Sequence, residues 1–580
     1  MLTPVAGIYL ATAARHVLGG DNGEFATLYA EGGVAHPSGY PLYTLYLRAL
    51  SWLPGVSPAH GAALATALLG VAVAAALYTA CRAWGASPAG AAFAAVVYAT
   101  SPRAWGLATE AEVFTLNALV GAVVVALAAP GGPARGTRRT VLLGLAAGAG
   151  LANHLTVVLL APVGLDGAAR GARESGNRLR AWALGALALL PGLLTYGYLV
   201  AVARHPGDRW VWADVSTAAG LLRHVVRADY GVGRLATHGG PPAPGAQLGA
   251  LAVHALRDLL VVPTLLGCAA VVGAVARWLR GLHRGRPADD HAARSAAVLA
   301  ATLALAGPLF AARFNIALTG VGWAIVARFH LLPEVLLSVF VAQGADAAAR
   351  RVSLGTRARA LLVAGAGVIG AAATLPGVLA AHRSVLEDYV FDTLHTAPPG
   401  AVVLGTGDHR QLGVLYAQRA LGVRRDVLYI DPWLLLLPAP RARVERALGR
   451  PLPPLRGRTV DTRALALAVL STGRPLFLTD VFTPAIVRSF PTYPLGTLIR
   501  VLPPGEALPD PGALAAMNDR VFAGYRVRRA EGAVDPWFAL AYADYARPWG
   551  ALAAVFGQRG DTVRAEACAQ RAAALTPPAE

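Results

Sequence analysis

The 580-residue chain contains no lysine: all 51 of its basic residues are arginine. Charge of any kind is scarce, at 14% of residues against 55% hydrophobic, and the mean hydropathy is +0.50. So little charge excludes an ordinary soluble multidomain protein and predicts an integral membrane protein. The formal net charge of +18 would suggest nucleic acid, but arginine replaces lysine throughout an Ala/Gly/Pro-rich background, which is compositional drift. No nucleic-acid partner is expected. Cysteine is nearly absent too: Cys81 and Cys268 fall in apolar segments and Cys568 lies near the C-terminus, which excludes a disulfide framework or a metal-binding spacing. The opening "MLTPVAGIYLATAARHVLGGD" lacks a basic region followed by an A-x-A cleavage site, so it reads as a short first span and not as a removed signal peptide.

What is abundant is apolar sequence. Stretches suited to spans begin near residue 1 and then cover roughly 61–82, 89–104, 112–129, 140–152, 154–166, 181–203, 251–276, 295–312, 329–346 and 360–380, about eleven segments, several shorter than the ~20 residues of a straight span. Arginine clusters separate them: Arg135, Arg138 and Arg139; Arg170, Arg173, Arg178 and Arg180; Arg277, Arg280, Arg284, Arg286 and Arg294; Arg350, Arg351, Arg357 and Arg359. All four fall on one side, as the positive-inside rule requires, if the N-terminus is cytoplasmic and 140–166 is two short spans. The expected location is therefore the cell (inner) membrane, multi-pass, with the loops at 19–55, 109–114, 153–154, 204–250 and 327–329 and all that follows residue 381 outside.

After residue 381 the pattern changes. "AVVLGTGDHRQLGVLYAQRALGVRRDVLYIDPW" alternates an apolar run, a Gly-rich turn, a helical pattern and a second apolar run, which predicts a βαβ unit in a soluble α/β domain over 382–535. "GTGDH" lacks the spacing of a nucleotide-binding loop, so Asp408 is expected to cap a helix. "LLPAPRARVERALGRPLPPLRGR" reads as a solvated connector. In 536–580, Trp549, Leu552, Ala553, Phe556, Ala565, Ala569, Ala572 and Pro577 fall at the spacings of one tetratricopeptide repeat, predicting a helical hairpin packed on the α/β domain.

Polar residues in the first third of the chain carry the chemistry. In "GGDNGEFATLYAEGGVAHPSGYPLY", Asp21, Glu24, Leu28 and Glu31 are spaced three, four and three, so on a helix their carboxylates share a face. The spacing predicts an amphipathic helix on the outer membrane surface, ended by the Pro37–Pro41 turn. Glu110, Glu112, Asn117, Asn153 and His154 fall on the same inferred side. An ionised group near the membrane centre costs roughly 2.5 to 3.5 kcal/mol on insertion scales, so such residues face a cavity or a partner. Arg328 is placed there as well, and its forked donors suit a phosphate oxygen. Carboxylates beside an arginine at the outer interface suit a transferase with a lipid-phosphate donor, in which a carboxylate activates the acceptor hydroxyl.

"GGDNGEF…GGVAHPSGYPLY", "SPRAWGLATEAEVFTLNAL" and "GLANHLTVVLLAP" resemble the three N-terminal motifs of the family known as domain of unknown function 2723, glycosyltransferase family 117, whose animal member is a transmembrane protein O-mannosyltransferase. "RWVWADVSTAAGLLRHVVRADYG" and "AVVLGTGDHRQLGVLYAQRALGVRRDVLYID" resemble later family segments. The resemblance implies a GT-C-like, mainly α-helical polytopic membrane domain over 1–381, a polyprenyl-phosphate sugar donor, and inverting single displacement. It carries the catalytic base onto Asp21, with Glu24 beside it, and the second-loop acidic position onto Glu112, with Glu110 less firmly matched. His36, Tyr40, Asn117, Asn153 and His154 match motif positions and are expected to bind substrate, as is Arg328 on topology. Glu110 and Glu112 are similar to the acidic pair with which some GT-C enzymes hold a divalent ion, yet O-mannosyltransferases need none, so no cofactor is expected. "DNGE" stands where the family commonly has "DSGE", and a first span shorter than a complete member's implies residues ahead of Met1.

The expected activity is transfer of a sugar, mannose first, from polyprenyl phosphate to a hydroxyl of a protein or glycan acceptor on the outer side. The rivals are a transporter or flippase of a lipid-linked intermediate and an envelope assembly scaffold. A transporter should show paired internal repeats and a scaffold more than one C-terminal repeat, and the sequence shows neither.

Overall fold

The computed structural model describes residues 2–231, 240–283, 291–457, 459–480, 484–527 and 535–577. Arg284 and Arg286 of the third arginine cluster lie outside them. Among the described residues, seven helices or helix runs are long and apolar enough to cross a membrane: Pro58–Ala83, Leu155–Glu174, Arg178–Arg204, Val261–His283, His291–Leu309, Leu331–Arg351 and Thr356–Thr396; three shorter apolar helices join them, Leu2–Thr12, Pro88–Ala99 and Phe114–Ala128.

Several expected spans are interrupted, each for a local reason. The run 251–276 is two helices, Pro244–Asp258 and Val261–His283, because Leu260 takes a left-handed conformation (φ 65°) and Asp258 is drawn onto Arg103. The run 89–104 stops at Ala99, and Ser101 caps a new helix over Pro102–Ala108. The run 181–203 is three pieces: Pro191 opens the short helix Leu190–Leu194 after a break at Ala188, and the chain breaks again at Thr195, whose hydroxyl donates to the Gly192 carbonyl. The supposed connector after Leu435 contains a helix, Pro438–Leu448, whose prolines sit in the first turn, where no amide hydrogen is needed, and whose Val444 and Leu448 turn inward.

Helix Asn22–Glu31 is not a surface helix. Residues Asn22 to Tyr29 are all buried, because the α/β domain that follows residue 381 lies across it. Gly23 makes that approach possible, since a Cβ there would lie 2.3 Å from the Leu412 carbonyl oxygen. Helix Asp408–Arg419 runs parallel to it: Ala26 packs with Tyr416, and Arg419 pairs with Glu31 at 2.6 Å. Both N-termini thus open on the same place.

The arginine clusters gather at the far end of the bundle. Arg139 meets Glu174 at 2.9 Å, Arg170 meets Asp166 at 2.6 Å, and Arg277, Arg350 and Arg351 line one depression. Helices Pro58–Ala83, Phe114–Ala128 and Leu331–Arg351 each run from the end holding Asp21 to the arginine end.

Strands β1 (Gly33–Val34) and β2 (Trp210–Val211) form a small parallel pair beside Asp21. A five-stranded sheet, β3 (Val402–Leu404), β4 (Leu428–Ile430), β5 (Leu476–Leu478), β6 (Thr492–Leu495) and β7 (Leu498–Val501), has the order β4-β3-β5-β7-β6. Its β4, β3 and β5 are parallel, while β7 is antiparallel to both neighbours. Connections leave β3 to one side for β4 and return to the other for β5, so a crevice opens at the carboxyl ends of β3 and β5, the switch point where α/β sheets bind ligands. The C-terminal helices Pro536–Gln558 and Thr562–Leu575 pair with each other, and Trp549, Leu552, Phe556 and Cys568 join Leu514 of the sheet domain in one apolar cluster. Ala569 is exposed and Cys568 faces inward in its place.

Candidate active site

Asp21 stands at the mouth of helix Asn22–Glu31, next to Gly20 with φ 63°, a turn that frees its carboxylate from capping duty. Arg328, in the last turn of helix Val321–Phe329, donates from Nη1 to Asp21 Oδ2 at 2.8 Å and to Glu112 Oε2 at 3.4 Å. Its guanidinium lies over the Phe114 ring at 5.4 Å. Burial works against both charges in the Asp21–Arg328 pair, but His36 and then Arg328 prevail at Asp21 and hold its carboxyl below the usual range. The Arg328 guanidinium is raised further by Asp21 and Glu112. Glu112 behaves oppositely: burial, opposed by Arg328 and aided by Asp21, pushes it to about 7. Burial and the neighbouring Glu112 lift Glu110 to about 8. Three acids around one arginine are thereby split, one firmly ionised and two near neutrality at physiological pH.

Glu24 departs from its expected place beside Asp21 in the cleft. It is fully buried, and its oxygens are taken by the His36 amide at 3.1 Å, His36 Nδ1 at 2.6 Å and the Trp210 indole N–H at 3.0 Å. A carboxylate so enclosed reaches no substrate; it positions His36. On the other side of that ring, Nε2 meets the Tyr40 hydroxyl at 3.1 Å. Burial lowers the His36 pKa, but Asp21 and Glu24 together raise it above the ordinary histidine value.

Behind Tyr40 the His154 ring stacks at 6.0 Å and also packs on Phe114 at 4.9 Å. His154 Nδ1 meets the Thr156 hydroxyl at 2.8 Å, and Asn117 Nδ2 donates to the same hydroxyl at 3.0 Å. Burial, then Arg227 and Arg328, push His154 down to about 3, which keeps it neutral. Asn153 Nδ2 donates to the Val113 carbonyl at 3.2 Å and so pins the turn that carries Glu112. Asn117, Asn153 and His154 thus brace one another and the Glu112 turn, while the buried Oδ1 atoms of Asn117 and Asn153 have no hydrogen-bond partner among the described residues.

Three residues on the site lie in the segments that resemble later family segments but were not singled out as site residues. Trp210 anchors Glu24. Arg227 donates to the Pro37 carbonyl at 2.7 Å and adds positive charge near Asp21, His36 and Tyr40. Asp408 was expected as a cap, but Gly407 takes the cap position. The Asp408 side chain is open to solvent yet ringed by protein, and burial followed by the Asp21 charge lifts it to about 6. The two tryptophans and the arginines of residues 209–227, in an otherwise polar loop, were the available signal for the first two. For Asp408 the quoted segment gave no spacing that ties it to Asp21; the docking of the α/β domain brings it here.

Beside Arg328 lies a cavity of about 340 Å3, lined by Gly20, Arg103, Glu110, Arg257, Arg328 and the small side chains of residues 373–381. Arg103 is committed to Asp258 at 2.5 Å and donates to the Ala327 carbonyl at 2.5 Å, which fixes the turn that presents Arg328. Arg257 is exposed there and makes no ion pair among the described residues. The buried Arg328 Nε–H has no hydrogen-bond partner among the described residues. Among the described residues, no group of three or more His, Cys, Asp or Glu side chains is arranged to hold a metal ion.

These features define a polytopic helical membrane protein with an ionised cleft at one end of its bundle, roofed by an α/β domain. Its fold is that of ArnT from Cupriavidus metallidurans, whose apo structure superposes with a TM-score of 0.51 over 88% of this chain and 98% of that one, at 14% identity. In sequence, residues 21–165 match the family model of the protein O-mannosyl-transferase TMEM260 N-terminal domain. The chain is 36% identical over 242 residues to protein O-mannosyl-transferase TMEM260 of Mus musculus, covering 40% of this chain and 34% of that one. It is 25% identical over 241 residues to the Dictyostelium discoideum protein of the same name, covering 39% and 29%. The chain spans about a third of the length of those relatives. The family-model match over residues 21–165 holds Asp21, Glu24, His36, Tyr40, Glu110, Glu112, Asn117, Asn153 and His154.

Proposed function

We propose that the chain is an inverting glycosyltransferase that moves a sugar, mannose first, from a polyprenyl phosphate to an acceptor hydroxyl. The observation that carries this reading is the state of Arg328: it holds Asp21 and Glu112 through Nη1 while its buried Nε–H has no partner among the described residues. A donor phosphate in the adjoining cavity would complete that guanidinium and meet Arg257, with the lipid tail against the small residues of helix Thr356–Ala381. As the phosphate draws Arg328 away, Asp21 loses a counter-charge that depresses its basicity and becomes a better proton acceptor.

Asp21 then takes the proton of the acceptor hydroxyl as that oxygen bonds to the anomeric carbon. The bond from carbon to phosphate oxygen breaks on the opposite face, and its electron pair leaves on the lipid phosphate, beside Arg328. General-base help of this kind is worth about 10²- to 10⁴-fold. Asp21 and Glu112 already share an arginine, so the scheme uses no divalent ion, and activity is expected to persist in excess chelator.

The names of the relatives support the sugar and a protein acceptor. The arginine-rich far end of the bundle supports an orientation in the cell membrane with the N-terminus cytoplasmic and the cleft and soluble domain outside. The test is transfer in proteoliposomes from a panel of labelled polyprenyl-phosphate hexoses. Incorporation from the mannosyl donor is the expected result; head-group translocation without transfer from any donor would instead establish a flippase.

A further inference from the structure

A second cavity, of about 780 Å3, lies where the soluble domain meets the membrane domain. Strand β4, the edge of the five-stranded sheet, forms part of its wall. The Leu428 N–H donates to the Ala401 carbonyl, and the Ile430 carbonyl accepts from the Gly405 N–H. Residues 428 and 430 therefore face β3, and alternation turns the N–H and C=O of Tyr429 to the open edge. Helices Asp408–Arg419 and Pro438–Leu448 flank that edge. Gln411 lines the cavity and is 6% exposed, and its Nε2 has no hydrogen-bond partner among the described residues.

Four carboxylates, Glu31, Asp208, Asp426 and Asp431, face four arginines, Arg419, Arg425, Arg443 and Arg474, so the charge open to a ligand depends on which of them are already paired. Asp431 accepts from the Trp433 N–H, and neither it nor Asp208 makes an ion pair among the described residues. Glu31 and Asp426 are taken up by Arg419 and Arg424. Arg425, Arg443 and Arg474, which also line the cavity, make no ion pair with a carboxylate among the described residues. Trp210 joins this cavity to the cleft: its indole N–H reaches Glu24, and Arg443 covers its ring at 5.0 Å. Beyond the carboxyl end of β4, Trp433 packs on Trp212 at 6.1 Å and Trp212 on His36 at 5.8 Å. The carboxyl end of β4 is therefore linked through Trp433 and Trp212 to the His36 side of the cleft.

We infer that this cavity receives an extended segment of an acceptor polypeptide, added as a further strand to β4 with acidic side chains against Arg425 and Arg443. The inference rests on the glycosyltransferase reading and adds to it how the acceptor is held. A free-edge amide and carbonyl recognise peptide backbone regardless of sequence, while the flanking arginines select charge. A glycan offers that edge no matching strand, and the cavity is within the size range of ligand sites.

The test uses the full chain in nanodiscs and short fluorescent peptides in which Ser or Thr is flanked by Glu. The variants are Arg425→Glu and Ala447→Trp, two exposed cavity positions away from the cleft. Each should weaken peptide binding and raise the peptide KM by about tenfold or more. The donor KM, kcat, and transfer to a small alcohol should stay unchanged. N-methylation of alternate peptide amides should abolish binding to the parent protein. Unchanged peptide binding in both variants overturns the inference, as does loss of binding for an oligosaccharide probe in place of the peptide. Peptide binding with the expected sensitivities, but no transfer to any acceptor, would support this docking site and refute the glycosyltransferase reading.

Discussion

Replacing Asp21 by Asn separates the catalytic from the structural part of the Asp21–Arg328 pair. Asparagine keeps an oxygen for Arg328 Nη1, now 2.8 Å from Asp21, and Glu112 at 3.4 Å still balances the guanidinium, so the cleft should stay folded. The base is lost, and kcat should fall by about 10²- to 10⁴-fold, or roughly 3 to 5 kcal/mol of barrier. Two further changes follow from the electrostatics. Asp21 competes with the donor phosphate for one guanidinium, so the donor KM should fall while kcat falls. Asp21 also raises Glu112 and His36, so any limb of the pH–rate profile near pH 7 that belongs to Glu112 should move to lower pH. The assay is steady-state transfer in proteoliposomes from pH 5 to 9 at matched protein. A loss under tenfold, or a donor KM that rises while kcat is unchanged, would refute Asp21 as base and return the role to another acid of the cleft.

Arg328→Lys keeps the charge but loses the fork that reaches Asp21, Glu112 and a phosphate together; transfer should drop at least about 100-fold, with the donor KM raised, which steady-state kinetics will read. Glu110 titrates near 8 in the fold against 4.5 ordinarily, so its contribution to stability is complete below about pH 4.5 and is lost as pH rises through 8. Melting in detergent should therefore weaken between pH 5 and 8, by on the order of 2 kcal/mol for this group after solvent screening; Glu110→Gln should flatten that fall, and an unchanged slope would remove Glu110 as its cause. Gly23→Ala places a methyl 2.3 Å from the Leu412 carbonyl oxygen and should cost about 1 to 3 kcal/mol by forcing the soluble domain off helix Asn22–Glu31, seen as faster proteolysis between the domains.

How much of this was legible in the sequence depended on distance along the chain. Asp21, His36 and Tyr40 lie within twenty residues of one another, and polar residues in an apolar background mark a cavity by their cost alone. The membrane class was legible for the same reason, and helix Leu331–Arg351 with its arginine end follows from hydropathy. Periodicity misplaced helix Asn22–Glu31, because its carboxylate face looks solvated until an unrelated segment, Asp408–Arg419, covers it. Glu24 then becomes an anchor instead of an acid at work, a change of role that no spacing within residues 21–31 encodes. Breaks at Leu260 and Ala99 were hidden in apolar runs because the residues that cause them, Asp258 and Ser101, answer to partners far away or to a cap.

Arg328 shows the limit most sharply. As a sequence feature it is one arginine among 51, and an arginine near a helix end ordinarily anchors a span at the headgroups. Its significance comes from three contacts with residues some 200 to 300 positions earlier, Asp21, Glu112 and the Phe114 ring, and from Arg103 holding the turn behind it. Only a bundle that brings residues 21, 103, 112 and 328 to one end can make a single guanidinium hold one acid ionised while burial leaves another near neutrality. The same contacts make Arg328 the group on which donor binding and base strength depend together, so a substitution there should disturb both and a substitution at Glu24 should disturb neither directly. Glu24→Gln is thus expected to act through His36: the hydrogen bond at 2.6 Å weakens, the His36 pKa falls, and the loss in transfer should be greater at high pH than at low pH, where the ring is protonated in both proteins. A loss independent of pH would instead return Glu24 to the chemistry itself.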